Sequence, residues 1–291
     1  MKAAVYLNNT GVSLLQKGSY RQAQETLADA AEVMTKMMAS STAGTSSGDD
    51  KNTTISTMLK TAAKRMARPQ EASCIESVNV KVISDGCHPH VLFEQISSSL
   101  TTTAAEELHH VVAFKVEHAD FDNDAFGDRD GAVMRSLVFY NAAMALRCVA
   151  RELAGSGPGT PPSNNAASAA GLMVKCNLSA YRLLHRAYMT INSAMKRPRP
   201  TSSSSTDDDN KADVNADDGA VLLRHFDRPH VEVMVMEVLR NLVALSRELG
   251  MTSQHYQYRT RSSRQRGVVE ALRSAKRSRH HLSSLSAASA A

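Results

Sequence analysis

The sequence contains no tryptophan, and aromatic residues make up only 4% of its 291 positions. Sheets are usually built from aromatic and β-branched side chains, so this composition argues against a β-rich protein. The apolar 42% must instead consist mainly of alanine, leucine, valine and 14 methionines. Such small and unbranched side chains favour helices that pack on helices. The sequence therefore predicts an all-α fold.

Long apolar runs and paired cysteines are also missing. No run of 18 apolar residues occurs, which predicts that no segment spans a membrane. Lys2 is followed by only five apolar residues before Asn8, too few for a secretory signal. The four cysteines form no Cys-x-x-Cys pair, which argues against a zinc ribbon or a disulfide framework. We expect an intracellular protein, cytoplasmic or nuclear, without a membrane partner.

Phosphate-binding and metal-binding motifs are not found. The chain has no glycine-rich phosphate loop and no carboxylate pair beside a histidine. Residues 87–90 with His109, His110 and His118 lack the paired spacing of a zinc site. The acidic stretch 120–131 lacks the ligand pattern of an EF-hand. The sequence predicts a non-enzymatic protein with no catalytic residues, no metal and no cofactor.

Positive charge is concentrated near the end of the chain. The net charge is +5, but residues 259–281 hold eight basic side chains and one glutamate, which leaves −2 for all other residues. Such a segment is a candidate for binding nucleic acid. Residues 207–218 hold six aspartates, to which the same segment is also complementary in charge. The basic residues are Arg259, Arg261, Arg264, Arg266, Arg273, Lys276, Arg277 and Arg279.

Polar segments divide the chain. The Ser-rich stretch 40–54, the Gly/Pro loop 155–165 and the acidic stretch 199–218 bury too little apolar surface to offset chain entropy. The regions between them have helical periodicity. The predicted organisation is a helical hairpin over 1–38, a disordered or flexible insertion over 39–72, an irregular segment with room for short strands over 73–132, a second hairpin over 133–197, a disordered acidic linker over 198–218, a third hairpin over 219–256, and a basic helix and tail over 257–291.

Residues 73–118 allow two interpretations. The sequence 77–83 alternates apolar and polar residues like a strand, and 111–116 is suited to pair with it. Alternatively, 103–118 forms a helix that leads into the second hairpin. The strand interpretation is slightly favoured.

The first hairpin contains a repeat motif. The stretch Leu7-Asn8-Asn9-Thr10-Gly11 is followed by Gly18 and by an apolar stripe on the next helix. This pattern resembles the tetratricopeptide repeat, and its residues are most similar to those of the repeats of kinesin light chain. Weaker copies follow in the second and third hairpins. The residues that carry the resemblance are Gly11, Gly18, Tyr20, Ala23, Leu27 and Ala30, then Ala143, Ala180, Leu184 and Ala187, then Gly250.

The resemblance implies a short α-solenoid with a concave groove. In such proteins an asparagine of the first helix of each repeat often hydrogen-bonds the backbone of an extended peptide, and the equivalent positions here are Asn9, Asn141 and Asn241. The alternative is that these are polar surface residues fixed by helix packing. We expect a scaffold that binds a peptide or helix of another protein, with a nucleic-acid-associated protein as the rival. Because three repeats are about the minimum for a stable solenoid, self-association is a further expectation.

Overall fold

Seven helices and two short strands make up the part of the chain that the computed structural model describes. The described residues are 1–42, 48–68, 78–84, 111–117, 128–155, 166–196 and 228–289. The elements are α1 (Lys2–Gln16), α2 (Tyr20–Thr42), α3 (Gly48–Ala67), β1 (Asn79–Ser84), β2 (Val112–Glu117), α4 (Asp128–Gly155), α5 (Ala166–Lys196), α6 (Arg228–Glu248) and α7 (Thr252–Ser289).

The helices form three antiparallel hairpins that stack in chain order. The hairpins are α1 with α2, α4 with α5, and α6 with α7. Helix α2 packs on α4, and α5 packs on α6, so that one apolar core runs through the stack. The predicted all-α fold of stacked hairpins with one small β element is confirmed.

Two glycines close the turns of the first and third hairpins. Gly18 and Gly250 have φ of 75° and 69°, a left-handed conformation that glycine adopts without steric cost. Ser19 N–H donates to the Leu14 carbonyl at 2.9 Å, and Met251 N–H donates to the Ser246 carbonyl at 2.8 Å. These bonds are those of a Schellman motif, which ends a helix and lets the chain reverse.

Gly11 brings α1 and α2 into close contact. A Cβ atom at this position would lie 2.5 Å from Cγ of Leu27, well inside van der Waals contact. The absence of a side chain therefore allows the two helices of the first hairpin to approach each other. The other repeat residues are also in the core, since less than 3% of each side chain is exposed in Tyr20, Ala23, Leu27, Ala30, Ala143, Ala180, Leu184 and Ala187.

The two strands pair in parallel. Their register runs from Asn79 opposite Val112 to Ser84 opposite Glu117. The strand interpretation of 77–83 and 111–116 is confirmed for the residues described, and the helix over 103–118 is wrong for its part in β2. Successive residues of β2 are buried on both faces of the strand, from Val112 through Phe114. Burial on both faces suits β-branched and aromatic side chains in an extended segment.

The expectation of a disordered or flexible insertion over 39–72 is wrong for 39–42, which ends α2, and for 48–67, which forms α3. Its apolar residues follow a helical stripe of Ile55, Met58, Leu59, Ala62 and Met66 that packs against the core. An ion pair fixes the same helix to α2. The polar first half of the segment concealed this stripe.

The basic tail is not a separate element. Helix α7 begins at Thr252 and continues to Ser289, so the predicted boundary at 256 falls inside one helix. Tyr258 and Val269 are 4% and 2% exposed, which shows that this helix packs on the stack beyond that boundary. The predicted loop 155–165 (except Gly155) and the acidic linker 198–218 lie outside the described residues.

Helix α4 is the central helix of the stack. The segment Asp130–Ala154 of α4 is long and apolar enough to cross a membrane, judged by length and composition alone. However, 89% of its apolar 18-residue stretch is buried inside the protein. A core helix meets the same criterion, and α4 is buried as a core helix is.

A candidate peptide groove and a basic cleft

Strand β2 lies between β1 and the helices α1 and α4. In a strand, the N–H and C=O groups of successive residues point to opposite edges. Asn79 N–H donates to the Val111 carbonyl at 2.9 Å, so the odd-numbered residues face β1. The backbone groups of Val112, Phe114 and Val116 therefore face the helices.

Asn9 of α1 binds Val116. Its Nδ2 donates to the Val116 carbonyl at 2.6 Å, and its Oδ1 accepts from the Val116 N–H at 3.0 Å. A primary amide offers one donor edge and one acceptor edge, which matches the two backbone groups of a single strand residue. Asn9 thus occupies the place that a neighbouring strand would take.

Asn141 of α4 binds Phe114 in the same way. Its Oδ1 accepts from the Phe114 N–H at 3.0 Å, and its Nδ2 donates to the Phe114 carbonyl at 2.8 Å. The second Nδ2 hydrogen is donated to Oδ1 of Asn8 at 2.8 Å. Asn8 in turn donates to the Phe114 carbonyl and to Oδ1 of Asn9, both at 3.2 Å. The three amides form one connected network on β2.

Asn241 of α6 reaches the strand through a tyrosine. The Tyr140 hydroxyl donates to the Val112 carbonyl at 3.1 Å, and Nδ2 of Asn241 donates to the same hydroxyl at 3.4 Å. Burial, and then the nearby Glu237, raise the pKa of Tyr140. The hydroxyl therefore keeps its proton and remains a donor to the strand.

The equivalent asparagines of the three hairpins, which we call the asparagine row, thus meet successive alternate residues of one strand. Asn9 and Asn141 bind it directly, and Asn241 binds it through Tyr140. The extended segment that they hold is the chain's own β2. The sequence analysis did not identify Asn8 or Tyr140 as residues that bind the strand. Each is adjacent in sequence to a residue of the asparagine row, and this adjacency is the signal that could have identified them.

A cleft of about 940 Å³ opens beside Asn241, between α6, α7 and the C-terminal half of α4. We call it the basic cleft. Five arginines and one glutamate line it, together with small and polar residues, which gives a formal charge of +4 when His255 is neutral. The lining residues are Arg147, Arg240, Asn241, Val243, Ala244, Arg247, Glu248, His255, Arg259, Ser262, Ser263 and Arg266.

Arg147 forms the floor of the basic cleft. It donates to Oδ1 of Asn241 and, at 3.1 Å, to Oε1 of Glu248. Its side chain is 6% exposed. Burial lowers the pKa of Arg147, and Glu248 opposes this effect. Arg147 therefore connects the third member of the asparagine row to the cleft, and sequence reasoning did not identify it because nothing local distinguishes a buried arginine from a surface one.

Three arginines at the rim differ from Arg147. The guanidinium groups of Arg247, Arg259 and Arg266 are exposed, and none of them has a hydrogen bond or ion pair within the described part of the chain. Arg240, by contrast, lies 3.3 Å from a carboxylate oxygen of Glu237. The rim thus presents three arginines whose guanidinium groups have no ion-pair partner among the described residues.

The predicted basic segment is divided by the structure. Arg259 and Arg266 face the cleft. Arg261 lies over the rings of Tyr188 and Tyr258, 5.5 and 5.9 Å from their centroids, and so helps to hold α7 on α5. Arg264 is exposed and does not line the cleft. The other four, which are Arg273, Lys276, Arg277 and Arg279, lie further along α7.

The two cysteines of the described residues do not form a reactive site. Burial raises the pKa of Cys148 to about 12 and also raises the pKa of Cys176. Both thiols are therefore poor nucleophiles at neutral pH. No group of three potential metal ligands occurs among the described residues, and the sequence 87–90 with His109, His110 and His118 lies outside them.

Comparison with known proteins gives no relative. No protein-family model, no curated protein and no solved structure matches the chain.

Proposed function

We propose that the protein is a non-enzymatic interaction scaffold that binds a segment of a partner polypeptide at the open end of its asparagine row. One observation carries this proposal. Amides of the first two hairpins hold an extended backbone directly at alternate residues, and the amide of the third hairpin reaches the next alternate residue through the Tyr140 hydroxyl. The third asparagine also lines an open cleft. The resemblance to tetratricopeptide repeats supports the same function.

The part of the groove between α1 and α4 is already filled. Asn9 and Asn141 use both edges of their amides on β2, and β1 occupies the other edge of that strand. A second peptide would find no unpaired backbone group of β2 there. Partner binding is therefore assigned to the basic cleft, where the row ends.

The basic cleft has the size and polarity of a peptide site. Its volume of about 940 Å³ is in the upper part of the range of about 300 to 1,000 Å³ for ligand pockets. Val243 and Ala244 supply apolar wall, and Ser262 and Arg259 supply hydrogen-bond donors. Residues of two hairpins contribute to one concave surface, as expected for a groove in a repeat protein.

Site-specific photo-cross-linking tests the proposal. A benzophenone amino acid replaces Ser263, an exposed residue that lines the cleft. The matched control places it at Gly171 of α5, which is exposed and would meet no neighbouring atom within 4 Å. Irradiation of the full-length protein in extract of its source cells should give a discrete protein adduct from position 263 and none from 171. The same adducts from both positions, or none from 263, would contradict the proposal.

A nucleic-acid-associated function is the second candidate. It is favoured by the exposure of Arg259, Arg264 and Arg266 on a helix that carries four more basic residues beyond them. Phosphate contacts release counterions, so affinity for RNA or DNA should fall steeply as salt rises.

The structure determines which truncation tests this candidate. Ending the chain after Ala271 removes four basic residues but keeps the buried Tyr258 and Val269, whereas ending it after Tyr256 would remove core side chains. Filter binding at two salt concentrations should show salt-dependent affinity that the truncation reduces. If the full-length protein binds neither RNA nor DNA at low salt, this candidate is excluded.

A further inference from the structure

The partner's chemistry follows from the charge of the basic cleft. We infer that the cleft binds a segment of the partner that is rich in aspartate and glutamate. This inference rests on the proposed function, because it names the class of ligand for the same site. It is carried by the uncommitted arginines at the rim and by the buried Arg147 on the floor.

Two carboxylates beside the cleft are already paired with other arginines. Glu248 accepts from Arg147 at 3.1 Å, and Glu237 lies 3.3 Å from Arg240. Arg247, Arg259 and Arg266 are left without an anion from the described residues. An arginine guanidinium presents a planar fork of donors that matches a carboxylate. Carboxylates of an incoming segment therefore supply what the rim lacks.

The spacing of the rim arginines fits an extended chain. Arg259 and Arg266 are seven residues apart on α7, which is about 10 Å along a helix. Three residues of an extended polypeptide also span about 10 Å. Ser262 and Ser263 lie between the two arginines on the same face. One short acidic segment can thus meet both guanidinium groups at once.

Two features favour a polypeptide over nucleic acid in this cleft. Single-stranded nucleic acid is usually held by stacking of its bases on aromatic side chains. Among the described residues, His255 is the only one with an aromatic ring that lines the cleft. Outside residues 259–281 the chain sums to −2, so its excess of positive charge is confined to that segment.

Fluorescence anisotropy with a defined probe tests the inference. The probe is a labelled octapeptide of alternating aspartate and glutamate, and the control peptide has asparagine and glutamine at the same positions. The full-length protein should bind the acidic peptide at least about tenfold more tightly than the amide peptide, since charge-assisted hydrogen bonds to arginine are about twice as strong as neutral ones.

Two single substitutions on α7 locate the site. Arg266→Gln removes a cleft arginine, and Arg264→Gln removes an equally exposed arginine that does not line the cleft. We expect Arg266→Gln to weaken binding of the acidic peptide about tenfold and Arg264→Gln less than about twofold. Equal effects of the two substitutions would mean general charge attraction and would overturn the inference.

A parallel variant removes an internal competitor. The chain has six aspartates within 207–218, outside the described residues, and they match the probe in chemistry. The variant with all six changed to asparagine should bind the probe at least as tightly as the parent. Equal binding of the acidic and amide peptides by both proteins would overturn the inference, as would binding of a single-stranded oligonucleotide by a protein that does not bind the acidic peptide.

The two proposals fail in distinguishable ways. If a partner is cross-linked from position 263 but the acidic peptide does not bind, the scaffold function stands and the acidic ligand is wrong. If neither occurs, both are wrong.

Discussion

Asn141 and Phe114 exchange two hydrogen bonds, although 27 residues separate them in sequence. The asparagine side chain lies against the strand residue as the backbone of a neighbouring strand would. Both groups are buried, so water cannot replace the amide at low cost. A helix of the second hairpin thereby fixes the register of β2.

Replacement of Asn141 by alanine should expose this dependence. The Phe114 N–H and C=O would lose a buried partner, which costs about 1 to 3 kcal/mol of the free energy of unfolding. In hydrogen-exchange experiments the Phe114 amide should exchange faster, with a smaller change at Val116. Asn9→Ala is the matched variant and should reverse the pattern, because Asn9 accepts from the Val116 N–H. Identical exchange profiles for the two variants would show that neither amide protects a particular residue.

Gly11→Ala should destabilise the first hairpin. The added Cβ would lie 2.5 Å from Leu27 Cγ, and overpacking of this kind costs about 1 to 3 kcal/mol. Gly171→Ala is the control, since a Cβ there meets nothing within 4 Å. In a helix interior that change should be stabilising by up to about 1 kcal/mol. Chemical denaturation of both variants measures the difference, and equal midpoints would contradict the close approach of α1 and α2.

Arg65→Met should loosen α3. Arg65 donates to Asp29 at 2.8 Å and lies 3.1 Å from Glu25, and its side chain is 15% exposed. Loss of this partly buried pair should cost about 1 kcal/mol and speed proteolysis within 48–67. Lys36→Met breaks an exposed pair with Glu32, and it should cost no more than about 0.5 kcal/mol. A larger effect at Lys36 would refute this attachment of α3.

The protein should lose stability in alkaline solution. Burial raises the pKa of the Cys148 thiol from its ordinary value of 9.0 to about 12, and burial also raises the pKa of Tyr140 and Tyr258. The unfolded chain releases these protons first, so the folded state binds more protons above pH 9. The stabilisation is complete below pH 9 and decreases as pH rises towards 12.

Denaturation midpoints at pH 8 and pH 10 test this dependence. The midpoint should fall between the two values, and Cys148→Ala should reduce the fall, since the substitution removes one of the groups concerned. The difference between the two pH values cancels any constant cost of the substitution. A midpoint that rises with pH would contradict the burial of these groups.

Much of the helical framework was accessible from the sequence because it depends on local chemistry. Gly18 and Gly250 marked the helix ends through the left-handed conformation that glycine tolerates. Gly11 and Leu27, which meet within the first hairpin, were both among the residues that carry the repeat resemblance. The three asparagines were identified through the resemblance to the tetratricopeptide repeat, which gave their positions in the three predicted hairpins.

The remainder depends on contacts between distant parts of the chain. The sequence near Asn141 does not indicate that its hydrogen-bond partner is Phe114. The position of a six-residue strand depends on contacts with distant parts of the chain, which a local sequence pattern does not reveal. Helix α3 was missed because its polar first half outweighed the stripe from Ile55 to Met66. Arg147 was missed because its burial arises from the meeting of α4 with α6.

The position of β2 changes how the stack should unfold. Solenoids usually unfold from their ends, since each repeat contacts only its neighbours. Here one strand is held by Asn9 from the first hairpin, by Asn141 from the second and, through Tyr140, by Asn241 from the third. A terminal hairpin cannot separate without releasing its hold on the strand shared by the others. Strand β2 should therefore couple the unfolding of the first hairpin to that of the third. We expect the three hairpins to unfold in a single cooperative transition.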